Sequence, residues 1–185
     1  MVKKGAVVVF LALMLGVGGA AQAQLGLMGI GGKIGLVSAE EDIGSTLGLG
    51  VQAKLGKVAG LIGLDAFVDF WTKNYDAGFG TDASFREIAI GAVGKYYIPF
   101  QGSPVKPYAG AGLALNIGRA KVEWSIPYFG SGSESKTETD IGLHLVAGAE
   151  MGLSPSLTGF AEAKYAIDGA DYFALMAGVI FNLPE

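Results

Sequence analysis

The sequence predicts an all-β fold, an eight-stranded antiparallel up-and-down barrel. Three observations predict it. Hydropathy alternates with period two in eight separate segments, glycine supplies 31 of the 185 residues and recurs inside those segments, and the connections between them are alternately long and short. Period two is the signature of a strand whose two faces meet different surroundings. A helix is a poor host for the same segments, because each interior Gly costs about 1 kcal/mol against Ala.

In the first segment Ile30, Ile34 and Leu36 alternate with Gly31, Lys33 and Gly35. In the second, Leu47, Leu49, Val51, Ala53 and Leu55 oppose Thr46, Gly48, Gly50, Gln52 and Lys54. The third sets Ile62, Leu64, Ala66, Val68 and Phe70 against Gly63, Asp65, Phe67 and Asp69. The fourth sets Ile88, Ile90, Ala92, Tyr96 and Ile98 against Glu87, Ala89, Gly91 and Lys95. In the fifth, Ala109, Ala111, Leu113, Leu115 and Ile117 alternate with Tyr108, Gly110, Gly112, Ala114 and Asn116. The sixth opposes Ile141, Leu143, Leu145, Ala147, Ala149 and Met151 to Asp140, Gly142, His144, Gly148 and Glu150. The seventh opposes Leu157, Ala161, Ala163, Tyr165 and Ile167 to Thr158, Glu162 and Lys164. The eighth opposes Phe173, Leu175, Ala177, Val179, Phe181 and Leu183 to Tyr172, Ala174, Gly178 and Asn182. Each segment has about ten residues, enough for a tilted strand to cross a bilayer and long for a soluble sheet.

Composition narrows the class. Apolar residues make up 51% and charged residues 16%, with a mean hydropathy of +0.45. Disorder needs the opposite balance. The absence of Cys excludes a disulfide scaffold, a zinc ribbon and a thiol enzyme. A net charge of −4 argues against a nucleic-acid partner, since phosphate binding depends on Lys and Arg. The chain opens with Lys3 and Lys4, an apolar run from Gly5 to Gly19, and Ala21-Gln22-Ala23 before Gln24. This is the order of a secretory signal peptide with a small-x-small cleavage site. Residues 1–23 are therefore expected to be a signal peptide and 24–185 the barrel domain. No Cys follows the apolar run, so a lipoprotein anchor is excluded, and no other apolar run is long enough for a membrane helix.

Two barrels fit the alternation: a soluble lipid-binding barrel with its apolar face inside, and a membrane barrel with that face outside. A soluble barrel needs a charged exterior, whereas the non-apolar face here is mostly Gly, Ala, Asn and Thr. Such a face suits a crowded interior, because eight strands leave room only for side chains. Its charges nearly balance: Lys33, Lys54, Lys95 and Lys164 against Asp65, Asp69, Glu87, Glu150 and Glu162, with the only histidine, His144, beside them. Buried charges pair, so these ten residues are expected to form a network in the lumen. The apolar parity carries no charge through the strand middles, and Arg86 lies on it only at a strand end. Connections of about 7, 12 and 21 residues alternate with tight turns at residues 56–60, 99–104 and 152–155, which matches long extracellular loops and short periplasmic turns. The link at residues 168–171 is short and breaks that trend. The longest connection, Arg119 to Thr139, is polar and reads as a flexible surface loop. Phe70, Trp71 and Tyr75 near one end, and Tyr96, Tyr97, Phe100 and Phe181 near the other, are expected to form two interfacial girdles.

The segments Lys106 to Leu113, Gly142 to Glu150, Leu153 to Leu157 and Phe160 to Tyr165 resemble the bacterial outer-membrane β-barrel family. Its small eight-stranded members are related to OmpW, the opacity proteins and the OmpA membrane domain. The resemblance covers essentially the whole mature chain. It implies a Gram-negative-type outer membrane with both termini in the periplasm. It also implies lipid and lipopolysaccharide as surroundings, and the outer-membrane assembly machinery as a partner during biogenesis. Members often end on an aromatic residue, whereas here Phe181 precedes Asn182-Leu183-Pro184-Glu185.

Catalysis finds little support. Lipid-modifying barrels of this size pair a His with a Ser and a carboxylate, and the nucleophile must lie within hydrogen-bond reach of the base. No Ser lies mid-strand beside His144, and Asp140 and Glu150 share only its strand face. Asp65 and Asp69 make too thin a ligand set for Ca²⁺, and the Gly-x-Gly stretches lie within strands rather than in phosphate loops. No catalytic residue, metal or cofactor is expected. The expected function is non-enzymatic, in envelope structure or surface contact. The alternatives are a narrow transporter of small apolar solutes, like OmpW, or a secreted lipid-binding barrel.

Overall fold

The computed structural model describes residues 24–39, 44–58, 62–78, 81–99, 101–126, 130–167 and 171–184. The expected signal peptide, residues 1–23, and Phe100 lie outside them. Eight strands follow in chain order: β1 (Gln24–Ala39), β2 (Gly44–Val58), β3 (Ile62–Gly78), β4 (Thr81–Tyr97), β5 (Val105–Ile126), β6 (Gly130–Ser154), β7 (Leu157–Ile167) and β8 (Tyr172–Asn182). Each pairs antiparallel with the next, and β8 pairs back onto β1 from Tyr172↔Ala39 to Asn182↔Gly29. The sheet is thus a closed barrel, and closure satisfies every wall strand's backbone groups without water, as a bilayer demands.

Register carries the alternation around the ring. Lys33 of β1 faces Gly50 of β2 and Gly178 of β8, and outward Ile34 faces Leu49 and Ala177. The apolar parity points out: Ile34 is 60% exposed, Leu47 64% and Leu175 52%. The other parity points in, where Lys33, Asp65, Asp69, Lys95 and Lys164 are all at or below 5%. A soluble barrel would invert this arrangement.

Small inward residues face large ones. A Cβ at Gly178 would strike the Phe160 ring, and one at Gly148 would strike the Tyr108 phenol. These glycines are volume, not flexibility. Gly56 is different: its φ of 100° lies where only glycine is comfortable. It sits in a bulge where the β2–β3 register shifts between Lys54↔Asp65 and Lys57↔Gly63.

Two expectations need correction. The connection from Arg119 to Thr139 is not an irregular loop. β5 and β6 stay paired through it, from Arg119↔Thr137 to Ile126↔Gly130, so these strands reach 22 and 25 residues. Lys121, Glu123, Ser133 and Ser135 make one face of this ribbon polar, Val122 and Trp124 lie on the other opposite Glu134 and Gly132, and backbone pairing does not require a wholly apolar face. The first girdle is also revised. Phe70 faces outward, but Trp71 is 2% exposed inside the barrel, and Tyr75 shares its strand face. At the other end Tyr96 and Phe181 are outside while Tyr97 turns inward to Glu150. Position near a strand end set the expectation, but parity decides which aromatic meets lipid.

Candidate functional site

Two regions carry polar groups in quantity: the lumen and the ribbon above it. The lumen receives all ten of the charged and histidine side chains expected there, with nine buried and Lys54 half-buried. Eight of them make ion pairs with one another, from the short-turn end upward. Lys54 Nζ lies 2.5 Å from Glu150 Oε2, and the Tyr97 hydroxyl donates to Glu150 Oε1 at 3.1 Å. Lys95 Nζ bridges Asp65 Oδ2 at 2.9 Å and Glu162 Oε2 at 3.0 Å. Tyr108 donates to the same Glu162 oxygen at 2.8 Å. Lys33 Nζ reaches Asp69 Oδ1 at 2.9 Å and Glu162 Oε1 at 3.8 Å, and Lys164 Nζ meets Asp69 Oδ2 at 2.6 Å. Rings supply further compensation: Lys164 Nζ stands 3.5 Å from the centroid of Phe67, and Lys95 Nζ 4.3 Å from that of Tyr108. Desolvated cations over aromatic faces gain about 2 kcal/mol.

Glu87 is buried on the inward face, opposite Trp71 in the β3–β4 register. On the long-loop side of Lys33, Asp69 and Lys164 the lumen holds a buried apolar cluster of Val37, Trp71, Ala166, Tyr172, Ala174 and Met176, against which Phe85 packs. Trp71 meets the Phe85 ring at a tilt, with centroids 5.1 Å apart, and the Tyr172 ring edge-on at 5.8 Å. This cluster, with buried Gln52 and Asn116, was not singled out from the sequence, although the same parity places each of these side chains inside.

His144 is fully buried between Phe67 and Tyr172, with ring centroids at 5.3 and 6.2 Å. Its Nε2 meets an amide oxygen, Asn116 Oδ1, at 3.2 Å, rather than a hydroxyl or carboxylate. Asp140, on the same strand face, is exposed, because β6 has already risen above the rim there. Among the described residues no cluster of His, Asp and Glu is arranged for a metal.

The second region is the ribbon. Among the described residues, β7 pairs with β6 only from Leu143 onward, so β6 from Gly130 to Gly142 pairs there with β5 alone. β5 is itself joined to β4 up to Trp124↔Thr81, and β4 to β3 up to Thr81↔Gly78. Parts of four strands thus stand above the barrel as a sheet whose β6 edge has no partner among the described residues. Its polar faces hold same-strand ion pairs, Lys121–Glu123 and Lys136–Glu138, both at 2.6 Å. The hydrogen bond from Lys136 holds the Glu138 carboxyl below its usual carboxylate value. Arg119 Nη2 donates across the hairpin to Ser135 Oγ at 3.2 Å.

Residues 8–182 match the family described as outer membrane protein beta-barrel domain. No curated protein matches the chain in sequence. Among solved structures, the chain is similar to Neisserial surface protein A (NspA), with 23% identity and a TM-score of 0.60 over 84% of this chain and 97% of that one. It is similar to Ail, the attachment invasion locus protein of Yersinia pestis, with 17% identity and a TM-score of 0.54 over 86% and 100%. A major outer membrane protein from Thermus thermophilus is also similar, with 15% identity and a TM-score of 0.58 over 83% and 99%. At these identities the likeness is one of fold.

Proposed function

The chain belongs to the outer-membrane protein β-barrel family and is a protein of the outer membrane; on that premise we propose that it is non-enzymatic and works by surface contact, through the sheet it raises above the bilayer. The observation that carries this reading is that, among the described residues, β6 from Gly130 to Gly142 pairs on one side only. An unpaired strand edge offers a row of N–H and C=O groups to which an extended segment of another protein can add. This edge carries no Pro, and its charged side chains, Glu134, Lys136, Glu138 and Asp140, would restrict which segments can add to it.

The lumen supports the same reading from the other side. Its charges are engaged with one another and its outer half is filled by the buried side chains of Trp71, Tyr172 and Met176, which disfavours the alternative of a conduit for apolar solutes. The proposed surroundings are phospholipid and lipopolysaccharide against the outward apolar band. The assembly machinery would read β8, whose Phe181 is 58% exposed on the lipid face. The test is adherence of bacteria expressing the protein to immobilised extracellular-matrix proteins and to host cells. A variant lacking residues 121–135, in which the wall pairing of β5 and β6 below Ala120↔Lys136 is left in place, is expected to fold and to lose adherence. Adherence unchanged in that variant would refute the proposal.

A further inference from the structure

At the periplasmic mouth, opposite the protruding sheet, a cavity of about 420 Å³ is bordered by Lys54, Lys57, Lys106, Tyr96, Met28 and Glu150. Three features of this mouth belong together. First, the bulge at Gly56 re-aims Lys57. Strict alternation from inward Lys54 would send Lys57 out with Leu55. The extra residue instead sets Lys57 opposite Gly63, an inward position shared with Asp65 and Phe67. Bulges commonly re-aim a side chain in this way beside functional sites. Second, the two carboxylates at this cavity are already held. Glu150 accepts from Lys54 and Tyr97, and Asp65 pairs with Lys95. Lys57 and Lys106 are exposed at the mouth; among the described residues neither forms an ion pair with a carboxylate, and Glu150, which lies opposite Lys106 in the β5–β6 register, is paired with Lys54 instead. Third, the cavity straddles the rim, because Met28 and Tyr96 on its border are 42% and 49% exposed on the outer, apolar side of the wall.

We propose that this mouth is a binding site for a phosphate group carried on an apolar chain, the headgroup of an anionic phospholipid of the periplasmic leaflet. Lys57 and Lys106 would hold the phosphate, and the acyl chain would descend past Met28 and Tyr96. Lysine acts on phosphate as a compact point charge with three donors. Two lysines with no carboxylate of their own, beside an apolar wall, match a ligand that is anionic at one end and aliphatic at the other. Free phosphate shares the first half of that chemistry and lacks the second.

The test is native mass spectrometry of the mature full-length protein in neutral detergent. It is titrated separately with phosphatidylglycerol, phosphatidylcholine and inorganic phosphate. Phosphatidylglycerol is expected to bind in preference to the other two. The Lys57→Gln/Lys106→Gln variant is expected to lose that binding about tenfold, and Lys57→Arg/Lys106→Arg to keep it. Lys121→Gln/Lys136→Gln, which removes the same charge from the opposite end, is expected to bind as the unmodified protein does. Heat-dependent gel mobility reports that each variant is folded. Equal losses in the two glutamine variants would mean a general charge effect and would overturn the site. Inorganic phosphate binding as tightly as the lipid would overturn the lipid assignment.

Discussion

Lys164 of β7 and Asp69 of β3 meet at 2.6 Å in the centre of the lumen, although 95 residues separate them in the chain. Neither strand neighbours the other in the sheet, so the contact spans the barrel interior. It exists only when the ring is closed and every register between the two strands is correct. Asp69 also accepts from Lys33, and Lys33 and Lys95 share Glu162. The interior charges therefore tie β1, β3, β4 and β7 to one arrangement.

Replacing Lys164 by Met should destabilise the barrel by about 3 kcal/mol or more. Removing one member of a buried pair strands its partner, and here Asp69 would be left with Lys33 alone. Urea unfolding of the protein refolded in lipid vesicles measures the loss. A change within about 0.5 kcal/mol, the range of ordinary surface substitutions, would show that the pair contributes nothing.

Gly50→Ala should cost about 1–3 kcal/mol, the usual penalty of overpacking. A Cβ there would collide with Asp69 Oδ1 and with Lys33 Cε, and so would push the two apart. Gly32→Ala is the matched control. It lies in the adjacent strand on the outward face, and its nearest neighbour would be Gly50 O at 3.9 Å. The same unfolding measurement should separate the two variants clearly.

The eight strands, their order and their faces were legible because the alternation is unbroken in the strand middles and one-residue slips would turn every side chain over. The interior residues Lys33, Lys95, Glu162 and Lys164 followed from the same parity. Their partners did not, because pairing across a lumen depends on barrel tilt and side-chain reach, which period two does not encode. Trp71 shows the limit: it was read by its place near a strand end, whereas its parity, opposite to Phe70, puts it inside. The hairpin was missed for a different reason. Its β6 half, residues 130–139, carries no hydrophobic alternation, but its β5 half does: Ala120, Val122, Trp124 and Ile126 alternate with Lys121, Glu123 and Ser125, a signal that β5 runs on. The bulge that sets Lys57 opposite Gly63 was equally silent, with Gly56 its only trace.

Lipid exposure should be graded along β4. Ile90, outward and 44% exposed, pairs with Val68 and Leu115 in the strand middles. Tyr96 lies at the short-turn rim. Ile90→Arg is expected to cost about 2–4 kcal/mol and Tyr96→Arg about 0–1 kcal/mol, the depth dependence of a charge facing lipid. Equal costs in vesicle refolding would contradict the placement of the apolar band.

On the proposed function this barrel acts at its surface because its interior is filled. Planar-bilayer recording on the refolded mature protein reads that filling. Eight strands leave a lumen that side chains occupy. Here Lys33, Lys95 and Lys164 are neutralised by Asp65, Asp69 and Glu162, below the buried rings of Trp71 and Tyr172. No conductance, or only small flickering events, is the predicted result; large, stable steps like those of a general porin would contradict it.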